Sequence, residues 1–116
     1  MFQGCTSLSN VRLNWDETNT RNFTDISYAF YQCEGLTSLA DTGIESWVLP
    51  NATEGSAVFY NCINLQSANL ECWNPTKIVN LPWLFYGCEN LQKFSLDGWS
   101  VPSLLDLQQA FQVTQI

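Results

Sequence analysis

Phe85-Tyr86-Gly87-Cys88-Glu89-Asn90-Leu91-Gln92-Lys93-Phe94-Ser95-Leu96-Asp97-Gly98-Trp99 is one copy of a frame that recurs along the whole chain. Written with φ for an apolar residue, it reads F-x-x-C-x-x-L-x-x-φ-x-L-x-x-W. A second copy runs through Phe59, Cys62, Leu65, Ala68, Leu70 and Trp73. A looser one runs through Phe30, Cys33, Leu36, Leu39 and Trp47, and another through Phe2, Cys5, Leu8, Val11, Leu13 and Trp15. A fifth opens at Phe111. The Phe positions 2, 30, 59, 85 and 111 are 28, 29, 26 and 26 residues apart. A self-similar period between about 20 and 50 residues is the sequence signature of a repeat architecture, in which each unit buries its apolar face only against its neighbours.

The period divides the chain into a single array of four units, 1–29, 30–58, 59–84 and 85–110, with a partial fifth at 111–116. Within each unit two periodicities alternate. Before each Cys, the sets Phe23, Ile26, Phe30, Cys33 and Ile78, Leu81, Phe85, Cys88 are spaced 3, 4 and 3 apart. That spacing predicts a short helical segment with one buried ridge. After the Cys, Leu91-x-x-Phe94-x-Leu96 and Leu65-x-x-Ala68-x-Leu70 end in the alternation of a short strand. Strands this short need partners in adjacent units, which gives a parallel ladder. The expected fold is therefore an α/β repeat solenoid, with Leu13, Ile44, Leu70 and Leu96 in one inward column. The second unit departs from the others. It carries extra residues around Gly43, and Ala52 and Gly55 stand where other units place larger apolar groups. It reads as the soft part of the array.

Apolar content of 46% with 13% charge describes a folded chain, and the net charge of −7 argues against nucleic acid or an anionic membrane surface as partner. No apolar run reaches the roughly 20 residues of a membrane helix, so this segment is not expected to insert. Met1 fills the apolar position that precedes every repeat Phe, as Ala29, Val58, Leu84 and Ala110 do, and reads as part of a longer array.

The strings Met1-Phe2-Gln3-Gly4-Cys5-Thr6-Ser7-Leu8 and Phe85-Tyr86-Gly87-Cys88-Glu89-Asn90-Leu91 resemble the M-F-x-G-C-x-x-L signature of BspA-like leucine-rich-repeat surface proteins. The 26-residue spacing and the downstream L-x-L-x-x-W are also similar, over essentially the whole chain. Only Trp15-Asp16 keeps the start of that family's W-D-T-S turn. The resemblance implies a right-handed leucine-rich-repeat array, extracellular or at the cell surface, secreted or displayed, and associated with adhesion and protein–protein interaction.

Candidate sites follow from positions that repeat. Cys5, Cys33, Cys62 and Cys88 share one register, with no His in the chain and no C-x-x-C pair. A column of buried thiols explains them better than zinc or catalysis, and no metal or cofactor is expected. Trp15, Trp47, Trp73 and Trp99 recur at one place and read as core, although aromatic faces also suit sugars. Glu45, Glu71 and Asp97 lie two before the repeat Trp, where alternation aims them away from the core. They are either a solvated face or a surface for a basic partner. Tyr31, Tyr60 and Tyr86 each follow the repeat Phe, and tyrosine is common at interfaces. No nucleophile–base pair or phosphate loop argues for an enzyme. The expected function is a non-catalytic adhesive module that binds a protein, such as a host surface or matrix component, through these six residues. The alternative is a structural spacer that holds another domain away from the cell.

Overall fold

The computed structural model describes residues 20–40, 42–78 and 81–99. Leu13, Trp15 and Cys5, and the whole first and fifth copies of the frame, lie outside the described residues. Strand β1, Ser67–Asn69, and strand β2, Lys93–Ser95, pair in parallel with Ser67 opposite Lys93, Ala68 opposite Phe94 and Asn69 opposite Ser95. Residues opposite one another are therefore 26 apart, the sequence period itself. A parallel bridge from Ser38 to Ser67 carries the pairing into the preceding copy. Strands of three residues cannot hold themselves, so their order comes from the side chains beneath them.

Those side chains stack by repeat position. Phe30, Phe59 and Phe85 lie ring on ring, with centroids 5.5 Å apart at each step and interplanar angles of 7° and 9°. Trp47 and Trp73 follow the same rule at 5.9 Å. Leu36, Leu65 and Leu91 are buried at a third repeat position, and Ile44 and Leu70 at a fourth, where Leu96 is half-buried. Each fully buried aromatic or aliphatic side chain is worth about 1.5–3 kcal/mol relative to exposure. The apolar columns are the main support of the fold.

The stretches expected to be helical are not helices. Residues 27–32, 56–61 and 82–87 are runs of turns. Their N–H groups alternate between two destinations. Ala29, Tyr31 and Cys33 donate back three residues, whereas Ile26, Tyr28, Phe30 and Gln32 donate to Glu54, Ser56, Val58 and Tyr60, 28 residues further on, at 2.7–2.9 Å. Ala57, Phe59 and Asn61 likewise donate forward to Pro82, Leu84 and Tyr86. An α-helix would have spent its donors within itself beyond the first turn. Here half of them tie one copy to the next, so the turn side is a ladder as well.

This alternation has a backbone requirement. Tyr28, Ala57 and Trp83, two before the Phe, have φ of 60°, 56° and 58°. Gln32, Asn61 and Gly87, two after it, have φ of 57°, 56° and 75°. The left-handed region costs a residue with a Cβ about 1–2 kcal/mol, and glycine almost nothing. That explains the G-C step of the frame at Gly87. At Gly87 a Cβ would also collide with the Asn61 side chain. Gln32 is exposed and occupies the same conformation without that neighbour's constraint. Gln32→Gly is expected to raise stability by about 0.5–1 kcal/mol, after the extra flexibility of glycine in the unfolded chain is subtracted. Urea unfolding checks it, and a loss of stability would contradict the left-handed assignment.

The second unit is better filled than its sequence suggests. A Cβ at Gly55 would lie 2.8 Å from both Ile78 Cδ1 and Leu81 Cδ2, so the next copy's larger side chains occupy the space that a bigger residue would need. Ala52 is likewise fully buried. The extra residues form a tight loop in which Gly43, at φ 85°, leads into a single 3-10 turn, Ile44–Ser46. Thr42 Oγ1 accepts from Ile44 N and donates to Leu39 O, which pins the loop from inside.

Candidate functional site

Three side-chain columns are consumed by structure, and each uses the same device. Cys62 Sγ donates to Phe30 O and Cys88 Sγ to Phe59 O, both at 3.0 Å. Trp73 Nε1 donates to Ile44 O at 2.8 Å, and Trp99 Nε1 to Leu70 O at 2.6 Å. Asn64 Nδ2 donates to Glu34 O and Asn90 Nδ2 to Ile63 O, at 2.8 and 2.7 Å. In every case a side-chain donor reaches back to a carbonyl of the preceding copy. The buried carbonyls of Phe30, Ile44 and Phe59 must find a partner, and the repeat supplies it from its neighbour, whereas the two Asn bonds lie at the surface. Cys33, Cys62 and Cys88 are buried free thiols, and Cys72, outside the register, is exposed. Burial raises the Cys62 thiol well above its ordinary value, with a smaller contribution from Cys88. Burial likewise pushes Cys88 up to about 12. Such thiols stay protonated and unreactive near neutral pH. Trp47 and Trp73 are core residues, and Trp99 is half-buried.

The acidic column is partly spent as well. Glu45 Oε2 accepts from Asn69 N at 2.8 Å, and Glu71 Oε2 accepts from Ser95 Oγ at 2.6 Å. Asn69 Oδ1 and Ser95 Oγ in turn accept from the N–H groups of Glu71 and Asp97. The result is a relay from Glu45 through Asn69, Glu71 and Ser95 to Asp97, along one edge of the strand ladder. Glu45 is half-buried, whereas Glu71 and Asp97 are exposed. One oxygen of Glu45 and one of Glu71 hold the next copy in place. The alternation of strand side chains gave no hint of that bond, because it depends on where the neighbouring copy sits.

The tyrosines form a continuous stripe across three copies. Tyr31 and Tyr60 stack at 4.9 Å and 11°, and Tyr60 and Tyr86 at 4.7 Å and 10°. All three are half-buried. The facing sides of the rings are occupied by one another, and each side chain keeps part of its surface exposed. Tyr28, 42% exposed, packs its ring edge-on against Tyr31 at 5.6 Å and widens the stripe at one end. Trp83 holds the position equivalent to Tyr28 in the third copy and is half-buried. Partial burial, then the neighbouring Tyr86 and Tyr31, raise the Tyr60 phenol above its ordinary value. Tyr28 and the Asn64 and Asn90 rungs were not singled out from sequence. Their signals were present as an aromatic two before Phe30 and Phe85, and as C-x-N-L at Cys62–Leu65 and Cys88–Leu91.

Among the described residues no three Cys, Asp or Glu side chains converge as a metal site requires, and no helix is long and apolar enough to cross a membrane. No curated protein and no solved structure matches the chain. A family model described as "Mycoplasma protein of unknown function, DUF285" matches residues 1–116, the full length that carries the repeated frame. The chain with its stacked Phe, Cys and Trp columns therefore belongs to the DUF285 family of repeat-containing proteins.

Proposed function

We propose that this chain is a stretch of a right-handed, BspA-like leucine-rich-repeat solenoid, displayed extracellularly or on the cell surface. In this reading it binds a protein of a host surface or matrix through the stripe of Tyr31, Tyr60 and Tyr86, as an adhesive module without catalytic activity. The observation that carries it is the stripe itself. Three half-buried tyrosines are stacked at one repeat position, and among the described residues their hydroxyls make no hydrogen bond to a neighbouring copy. Rigid aromatic side chains that keep a polar tip in water are favoured interface anchors, because little conformational freedom remains to be lost on binding. Glu45, Glu71 and Asp97 supply negative potential on the same small molecule. Charge of this kind chiefly speeds and selects encounter with basic partners.

The test uses the whole chain and an immobilised extracellular-matrix layer laid down by cultured epithelial cells. Tyr31→Ser, Tyr60→Ser and Tyr86→Ser together are expected to weaken binding by about tenfold or more, in the range for loss of aromatic anchors. Tyr60→Phe, which keeps the stack, serves as the control for folding. Saturable binding that survives the triple substitution would remove the stripe from the interface. An absence of saturable binding by the wild-type chain would favour the spacer.

A further inference from the structure

The 3-10 turn does more than absorb extra residues. It carries Glu45 across to Asn69 N, and so raises one wall of a groove of about 360 Å3 on the outer side of the strand ladder. Ligand sites run from roughly 300 Å3 upward, so the groove is of small-molecule size. The small side chain of Ala40 leaves the depression open, and the outward side chains of Glu45, Ser67, Asn69, Lys93 and Ser95 surround it. The polar groups are held in defined directions. Asn69 Oδ1 accepts from Glu71 N, which leaves its two amide hydrogens to face outward or into the groove. Ser67 Oγ lies 3.3 Å from Ser38 Oγ, and Ser95 Oγ is bonded to Glu71. Glu45 uses Oε2 for Asn69 and keeps Oε1. Phe94 and Ala68 border the groove only through the strand backbone, because alternation turns their side chains to the core, where the Phe94 ring tilts on Phe85 at 5.7 Å.

Lys93 supplies the groove's cation, beside the Glu45 carboxylate. It is exposed and, among the described residues, makes no ion pair or hydrogen bond through its ammonium, although the chain carries eleven acids against four bases. Lys77, by contrast, is tied to Asn51 Oδ1 at 2.9 Å. A groove whose outward side chains are a carboxylate acceptor, an amide and hydroxyls matches the hydroxyls of a sugar ring. A lipid or apolar ligand would find no continuous apolar floor there. The unpaired ammonium adds recognition of an anionic group, as a point charge with three donors.

We propose that this groove binds a saccharide bearing a carboxylate, with Lys93 on the carboxylate and Glu45, Asn69 and Ser67 on the hydroxyls. The site is separate from the tyrosine stripe, and either can stand without the other. The test follows backbone amide shifts of the full chain by NMR during titration with D-glucuronate, D-glucose and triglycine. Glucuronate is expected to move the Ser67, Asn69, Lys93 and Ser95 amides saturably, with glucose weaker by about tenfold, the scale of one charge-assisted hydrogen bond. Triglycine, a carboxylate without hydroxyls, should not saturate over the same range. Lys93→Gln should reduce glucuronate to the level of glucose, whereas Lys77→Gln should leave the preference intact. The proposal fails if neither sugar moves these amides saturably, if triglycine equals glucuronate, or if Lys93→Gln keeps the preference.

Discussion

Phe59→Ala is expected to lower stability by about 3–5 kcal/mol, the cost of emptying a buried aromatic site that cannot collapse. Phe59 is fully buried and sits at the centre of the ring stack, 5.5 Å from both Phe30 and Phe85 and 5.8 Å from Trp73. Its N–H donates to Leu84 O, and its carbonyl accepts the Cys88 thiol. Loss of the ring therefore strips contacts from three copies at once. Small domains have about 5–15 kcal/mol in total, so the variant should be largely unfolded in mild denaturant. Urea unfolding followed by near-UV and far-UV circular dichroism measures it. Phe23→Ala, at the edge of the core and half-buried, should cost distinctly less. Equal losses at both positions would mean that the stack is not a cooperative centre.

Alkaline pH should unfold the chain through its thiols. Cys62 and Cys88 release their protons in the folded state only well above the ordinary thiol value, Cys88 at about 12. In the unfolded state they ionise near the ordinary value of about 8.5–9. Between those limits the folded state holds more protons than the unfolded one, so stability falls as pH rises. Below about pH 8.5 the full contribution is present, and for Cys88 it is lost by about pH 12. The slope is about 1.4 kcal/mol per pH unit for each such thiol. Urea midpoints measured across that range should fall steadily. Cys62→Ser with Cys88→Ser should flatten the fall, since a hydroxyl donates to the same carbonyls without titrating there. A slope that persists in the double variant would assign the alkaline transition to other groups.

The repeat was legible in the sequence because the columns need one residue type at one position in every copy. Phe30, Phe59 and Phe85 recur because each ring is packed by the next, and Cys62 and Cys88 because each thiol caps the carbonyl of a Phe one copy earlier. The conformation between those columns was not legible. A spacing of 3, 4 and 3 fits a helical ridge, but turns that alternate left-handed residues give the same inward positions with different hydrogen bonding. The clue lay in Gly87 and Asn61, residue types tolerant of positive φ, two places after the Phe. The small residues of the second unit were legible only as a weakness. Their complement, Ile78 and Leu81, belongs to the following copy, and pairing across copies is invisible to a reading of one unit at a time. The acids show the same limit. Their outward placement follows from alternation, whereas the bonds from Glu45 to Asn69 and from Glu71 to Ser95 depend on inter-copy geometry.

Both the tyrosine stripe and the groove exist only if adjacent copies lie directly over one another in register. Nuclear Overhauser contacts between assigned aromatic side chains test that most directly. In-register stacking predicts ring-to-ring contacts for Phe30 with Phe59, Phe59 with Phe85, Tyr31 with Tyr60 and Tyr60 with Tyr86, because each of these pairs has centroids 4.7–5.5 Å apart. It predicts none between Phe30 and Phe85, which are separated by the Phe59 ring. A contact between Phe30 and Phe85, or the absence of the Tyr31–Tyr60 and Tyr60–Tyr86 contacts in the folded chain, would contradict the register and with it both surfaces.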